Sequence, residues 1–107
     1  MPATVRFPMP KDPSDISDFT YDFSDDLPGD DVIVGVDRVD ITPDNLVPRE
    51  DTGTPHLTCE SRLFSGQVVT LWLRGGQDRW SYLVGMLVRM ASGRTLYRQA
   101  LLRVRRI

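Results

Sequence analysis

The stretch WSYLVGMLVRMASGRTLYRQALLRVRRI, residues 80–107, decides the fold. Trp80, Tyr82, Val84, Met86, Val88 and Met90 recur at every second position, the spacing that places side chains on one face of an extended strand. Leu96, Ala100, Leu102 and Val104 repeat that rhythm on a second arm. Between the arms lies Ala91-Ser92-Gly93-Arg94, where Ser92-Gly93 offers the positive φ that a tight hairpin loop requires. The tail of the chain is therefore expected to be one long β-hairpin.

Working back from the hairpin, Gly75-Gly76-Gln77-Asp78 reads as a turn. Residues 67–74 precede it, with Val68, Thr70, Trp72 and Arg74 on one face and Val69, Leu71 and Leu73 on the other. Two largely apolar faces suit a central strand. His56 to Phe64 is weakly patterned and is expected to hold a short strand around Leu57 and Cys59. Glu50 to Pro55 is the expected loop, and Leu46-Val47, closed by Pro48, a short edge strand.

Earlier still, Val32, Val34 and Val36 alternate with Ile33 and Gly35, while Val39 and Ile41 carry the apolar positions in the opposite phase. A bulge near Gly35 to Arg38 accounts for the change. Phe19, Tyr21 and Phe23 alternate with polar residues and form a strand with an aromatic inner face, closed by a turn at Leu27 to Asp31. Pro2, Pro8, Pro10 and Pro13 crowd the first residues, which read as an extended arm. Two fates are open to that arm: a free tail, or docking on a neighbouring subunit through Phe7 and Met9.

Short strands, turn signals about every ten residues and an absence of helical periodicity indicate an all-β fold. The expected architecture is an antiparallel immunoglobulin-like β-sandwich of 6–7 strands over residues 17–107, with a Pro-rich N-terminal arm over 1–16; a small barrel is the alternative. Tyr82 stands where such sandwiches often carry a tyrosine corner. A chain of 107 residues is long enough for one core. A single cysteine, Cys59, rules out an internal disulfide and fits folding in a reducing compartment. No apolar run approaches a membrane span, and the N-terminus does not read as a secretory signal.

Charge is unevenly spread. Residues 1–53 carry 13 acidic and 4 basic side chains, a net of −9, and residues 54–107 carry 2 and 9, a net of +7, together giving the overall −2. Either the halves interleave and neutralise each other, or an acidic and a basic patch meet across an interface. Arg98 shares the inward phase of Leu96 and Ala100, which suits pairing with an N-terminal aspartate or an external contact. Arg103 and Arg105 read as edge-strand charges.

Groups able to do chemistry are sparse. His56 and Cys59 are two candidate metal ligands where a closed zinc site needs four, and the acidic run from Asp12 to Asp31 departs from the spacing of a calcium loop. Neither a nucleophile elbow nor a phosphate-binding glycine loop is present in the sequence. An enzyme, a cofactor and a metal are not expected, nor is direct nucleic-acid binding, because aromatic platforms are not interleaved with the arginines. More telling is the other phase of the hairpin: Leu83, Leu87, Tyr97 and Leu101 face outward if the first phase forms the core. Such a surplus marks an interface unless loops and the arm cover it.

The sequence KDPSDISDFTYDFSDDL at Lys11–Leu27, WLRGG at Trp72–Gly76, Tyr82, and SGRT from Ser92 with Arg98 beyond it resemble the small fiber-tail adaptor proteins of tailed bacteriophages, over Lys11 to Val104. The resemblance implies a non-enzymatic virion protein that joins tail or fiber (or neck) components. It further implies several symmetry-related copies, other phage structural proteins as partners, and assembly in the bacterial host cytoplasm. Interface candidates are Phe7, Met9, Leu83, Leu87, Tyr97, Leu101, Arg103 and Arg105. The alternative is a carbohydrate-binding sandwich for host-surface attachment, with the exposed members of Trp72, Trp80 and Tyr82 stacking on sugars.

Overall fold

The computed structural model describes residues 5–27, 29–44 and 56–106. The expected edge strand at Leu46-Val47 and the loop at Glu50 to Pro55 lie outside these residues, as do Met1 to Thr4. The described chain is all-β, with strands β1 (Val5–Arg6), β2 (Ile16–Asp22), β3 (Ile33–Pro43), β4 (Thr58–Ser65), β5 (Val68–Arg74), β6 (Ser81–Met90) and β7 (Thr95–Arg103). A 3-10 turn at Ser24–Asp26 follows β2. One sheet has the order β1-β7-β6-β3 and the other β2-β5-β4; all pairings are antiparallel except β1 on β7.

The hairpin forms as its rhythm requires. Tyr82, Val84, Met86, Val88 and Met90 are buried, and so are Ala100, Leu102 and Val104 on the second arm. Facing them, β5 contributes Val69, Leu71 and Leu73, and β2 contributes Phe19 and Tyr21, with Phe23 just beyond its end. Each such side chain removed from water contributes about 1.5–3 kcal/mol. β5 is the middle strand of its sheet, but its second face is only partly covered: Trp72 stays 37% exposed.

β3 runs through the expected irregularity, with register shifts between Ile33 and Gly35 and between Val36 and Arg38. The shifts re-phase the strand, so the inward positions are Ile33, Val36, Val39 and Ile41, while Val32 and Val34 lie at the surface. β4 is longer than the expected short strand, because an edge strand with polar residues on both faces leaves little alternation to read.

The arm differs from both of its expected fates. Residues 5–11 run parallel to β7, with the Phe7 and Lys11 amides donating to the carbonyls of Leu101 and Arg103 at 2.9 Å. Pro8 and Pro10 occupy the alternate positions, where an amide would point away from the sheet, so the missing donors cost no ladder bond and leave less edge for a stray strand to pair with. Phe7 is accordingly only 5% exposed, its ring 5.4 Å from that of Phe19, and is taken up by the chain's own core rather than left for a neighbour. Met9 is 68% exposed.

A buried charge fastens the sandwich at each end. At one end the Lys11 Nζ donates to the carbonyls of Asp12 and Gly75, both at 2.8 Å, tying the arm to the crossing between β5 and β6. Burial pushes its ammonium below the ordinary value, against the opposing fields of Asp15 and Asp12. At the other end Asp31 accepts the Ser92 hydroxyl at 2.7 Å, the Ser92 amide at 3.2 Å and the Val32 amide at 3.1 Å, joining the start of β3 to the hairpin turn. The carbonyl of Asp31 takes the Gln67 side-chain amide at 3.0 Å, which brings in the turn between β4 and β5.

The Ser92 hydroxyl is the main cause of a lowered Asp31 pKa; burial opposes it, and the two amides and Arg94 add to it. A carboxyl whose folded pKa is depressed stabilises the fold fully above its unfolded value and loses that contribution as pH falls through the folded one. Asp31→Asn should therefore be less stable than wild type at neutral pH, and the gap should narrow below about pH 4. Urea denaturation across pH 2.5–7 checks this, and parallel curves for the two proteins would count against the clasp.

Candidate functional site

Because β6 and β7 pair residue by residue, the outer phase of the hairpin is brought into one patch. Leu83 lies opposite Leu101 and Leu87 opposite Tyr97, so two sets of residues separate in sequence become two cross-strand pairs on one face, with Gly85 and Gln99 between them. β3 continues the face on one flank, with Thr42 beside Leu83, Asp40 beside Gly85 and Arg38 beside Leu87. On the other flank Arg6 lies beside Leu101. The three leucines are half-buried and Tyr97 is 36% exposed, so the patch is an apolar centre within a charged rim.

Gly85 explains how Tyr97 is held. A Cβ at position 85 would run into the Tyr97 hydroxyl and lie 2.6 Å from its Cζ, so the ring occupies the space that the glycine leaves open. A bare position in a central strand is thus covered by an aromatic ring from its neighbour. The Arg38 guanidinium lies 5.8 Å from the ring centroid, and the Tyr97 hydroxyl donates to Asp40 Oδ2 at 3.4 Å. Asp40 also pairs with Arg38 at 2.8 Å. These links fix a rigid aromatic with its polar tip tied down, a form of side chain that loses little freedom when covered by a partner.

The remaining candidates fall elsewhere. Arg98 pairs with Asp26 at 3.2 Å, one of the two readings left open for it, and Arg89 with Asp37 at 3.4 Å. These two pairs bridge the acidic and basic halves, whereas Arg38–Asp40 and Arg74–Glu60 each lie within one half. Arg103 and Arg105 are exposed beyond the apolar patch, at the end of β7. Tyr82 is wholly buried, its hydroxyl accepting the Gln77 amide at 3.0 Å and lying 3.0 Å from His56 Nδ1. Trp80 is half-buried against His56, with ring centroids 5.1 Å apart. Of the three aromatics considered for sugar stacking, Trp72 alone is exposed, and it sits on the opposite sheet.

Groups with chemical potential are engaged in structure. Cys59 Sγ donates to the Ser61 carbonyl at 3.3 Å, and burial pushes its thiol pKa up, away from the reactive thiolate. A groove of about 490 Å³ between β3 and β4 is lined by Val39, Ile41, Leu57, Cys59 and Arg62 among others. The Glu60 carboxylate in that lining is paired with Arg74 at 2.8 Å. Among the described residues no group of three or more His, Cys, Asp or Glu side chains could hold a metal ion.

Residues 11–103 match the family described as Podophage GP4 fiber-tail adaptor protein gp77. No curated protein and no solved structure matches the chain.

The seating of Tyr97 over Gly85 can be measured. Gly85→Ala should destabilise the fold by about 1–3 kcal/mol through the displaced ring. The same change on a Tyr97→Ala background should cost much less, giving a coupling visible in a double-mutant cycle by chemical denaturation. Additive effects would mean that the ring does not depend on the glycine.

Proposed function

The chain belongs to the podophage GP4 fiber-tail adaptor family, and on that footing we propose that it is a non-enzymatic virion connector that joins tail and fiber (or neck) components through the outer face of its β6–β7 hairpin. Adaptors of this kind are structural components of a bacteriophage tail, and the partners implied are other tail or fiber proteins. The observation that carries the reading is the pairing of Leu83 with Leu101 and Leu87 with Tyr97 on a face that the chain's own core does not use. Covering that apolar area would contribute about 25 cal/mol per Å². The rim of Arg6, Arg38, Asp40 and Arg89 would select the partner by charge.

We read residues 17–107 as an immunoglobulin-like sandwich and residues 1–16 as its arm. The strand order supports this: β3, β6 and β7 correspond to the C, F and G strands of such a domain, β2, β5 and β4 to B, E and D, and β1 to a first strand shifted onto the last. The Tyr82 hydroxyl, bonded to the backbone five residues upstream, behaves as a tyrosine corner does. Several symmetry-related copies, assembly in the host cytoplasm and no direct contact with nucleic acid complete the reading.

Substituting Leu87 and Leu101 together by Asp should leave a folded protein, since neither side chain reaches the core. Particles assembled with that variant should lack it, as read by protein content of purified virions beside circular dichroism of the free chain. A variant that enters particles at the wild-type level would remove this face from the assembly.

A further inference from the structure

Between the N-terminal arm and β2 lies a pocket of about 370 Å³. The arm contributes Arg6, Phe7 and Pro8 to its lining; β2 contributes Tyr21 and Asp22, and the 3-10 turn that follows contributes Asp25 and Asp26. Local bonds fix the carboxylates in place. Asp22 Oδ1 accepts the Ser24 amide at 2.8 Å, the Asp26 amide donates to the Phe23 carbonyl at 2.9 Å, and the Asp26 carboxylate is paired with Arg98 at 3.2 Å. Asp25 is exposed and forms no ion pair among the described residues. Arg6 lines the same pocket, yet it pairs with none of the three aspartates.

Tyr21 sets this pocket apart from an ordinary acidic surface. It is only 8% exposed, with its ring 4.6 Å from that of Phe23, and its hydroxyl enters no hydrogen bond among the described residues. Buried polar groups nearly always have a partner, so an orphan hydroxyl on a pocket wall asks for one from outside. Burial is the main cause that holds its pKa above the ordinary value; Asp26 adds to the rise, Arg98 opposes it and Asp25 adds again. The hydroxyl is therefore neutral, lies in the field of the two turn carboxylates, and keeps an oxygen lone pair to offer. Three carboxylates against two guanidinium groups, Arg6 and Arg98, leave one negative charge over. No three carboxylates among the described residues converge as ligands of a metal ion do, so an organic cation suits the pocket better.

We propose that this pocket receives one basic side chain, lysine or arginine, from a partner protein. Its nitrogen donates to the Asp25 carboxylate and to the Tyr21 hydroxyl oxygen, and its aliphatic stem lies along Pro8, which is exposed beside them. A single charge left over matches one such side chain rather than a run of them. That the side chain belongs to a tail or fiber protein rests on the connector reading above; the preference of the pocket for a cation does not. The pocket shares Arg6 with the rim of the Leu83, Leu87, Tyr97 and Leu101 face and none of the four apolar residues.

Titration of the purified chain with Nα-acetyl-argininamide and with Nα-acetyl-lysinamide, followed by amide NMR at constant ionic strength, tests the proposal. Saturable shifts should centre on Arg6, Phe7 and residues 20–26, and the neutral Nα-acetyl-glutaminamide should produce none. Asp25→Asn should weaken binding by about tenfold, and Tyr21→Phe by about threefold or more. Tyr21→Phe should at the same time leave the thermal midpoint unchanged or higher, because the hydroxyl it removes bonds nothing within the free chain. Arg6→Ala should tighten binding by taking a like charge from the wall. Shifts that are absent or centred elsewhere, Asp25→Asn binding as wild type does, or a Tyr21→Phe variant that melts earlier would each overturn the proposal. So would loss of binding in Arg6→Ala, or tighter binding of an acidic probe, Nα-acetyl-glutamic acid amide. None of these measurements involves a particle, so the connector role and the cation pocket can fail separately.

Discussion

Side chains alternate along an extended strand, and a hairpin that is apolar in both phases carries more apolar surface than one core can cover. In β6 and β7 the inner phase is wholly spent: Tyr82, Val84, Met86, Val88, Ala100 and Leu102 are sealed against the opposite sheet. The outer phase cannot turn inward without expelling the inner one, since a one-residue slip exchanges the two faces. The chain therefore keeps Leu83, Leu87, Tyr97 and Leu101 outside, and a fold that must display them is suited to being covered by another protein. That is the property an adaptor requires.

The two clasps hold this arrangement in register. Lys11 reaches a carbonyl 64 residues away, and Asp31 reaches Ser92 across 61 residues, each drawing a different end of the hairpin to the rest of the sandwich. Both place a charge where water is excluded, and both satisfy it by hydrogen bonds to fixed groups, the condition under which a buried charge is tolerated. The arm adds a parallel strand to β7, so the edge beside the outer face is closed by the chain's own residues 5–11.

Much of this was legible in the sequence, for identifiable reasons. The hairpin declared itself because period two is a direct image of the pleat, and Arg98 stood out as a charge in an otherwise apolar phase, which the Asp26 pair explains. The outer leucines and Tyr97 followed from the same parity. Proline density misled the reading of the arm, since prolines at alternate positions are compatible with one ladder edge and only their phase decides. The change of phase located the shift between Val36 and Arg38, but alternating valines gave no sign of the one between Ile33 and Gly35, or that Val32 and Val34 would lie at the surface. The clasps were invisible because their partners lie far away in sequence, and Gly85 gave no sign that a ring would cover it.

An electron cryomicroscopy reconstruction of the assembled tail, at a resolution that shows side chains, addresses the display of the outer face most directly. The expected result is that Leu83, Leu87, Tyr97 and Leu101 of each copy lie against a different tail or fiber chain and exclude water. Finding those four side chains turned to solvent in every copy, with the protein held in the particle by other surfaces, would contradict it.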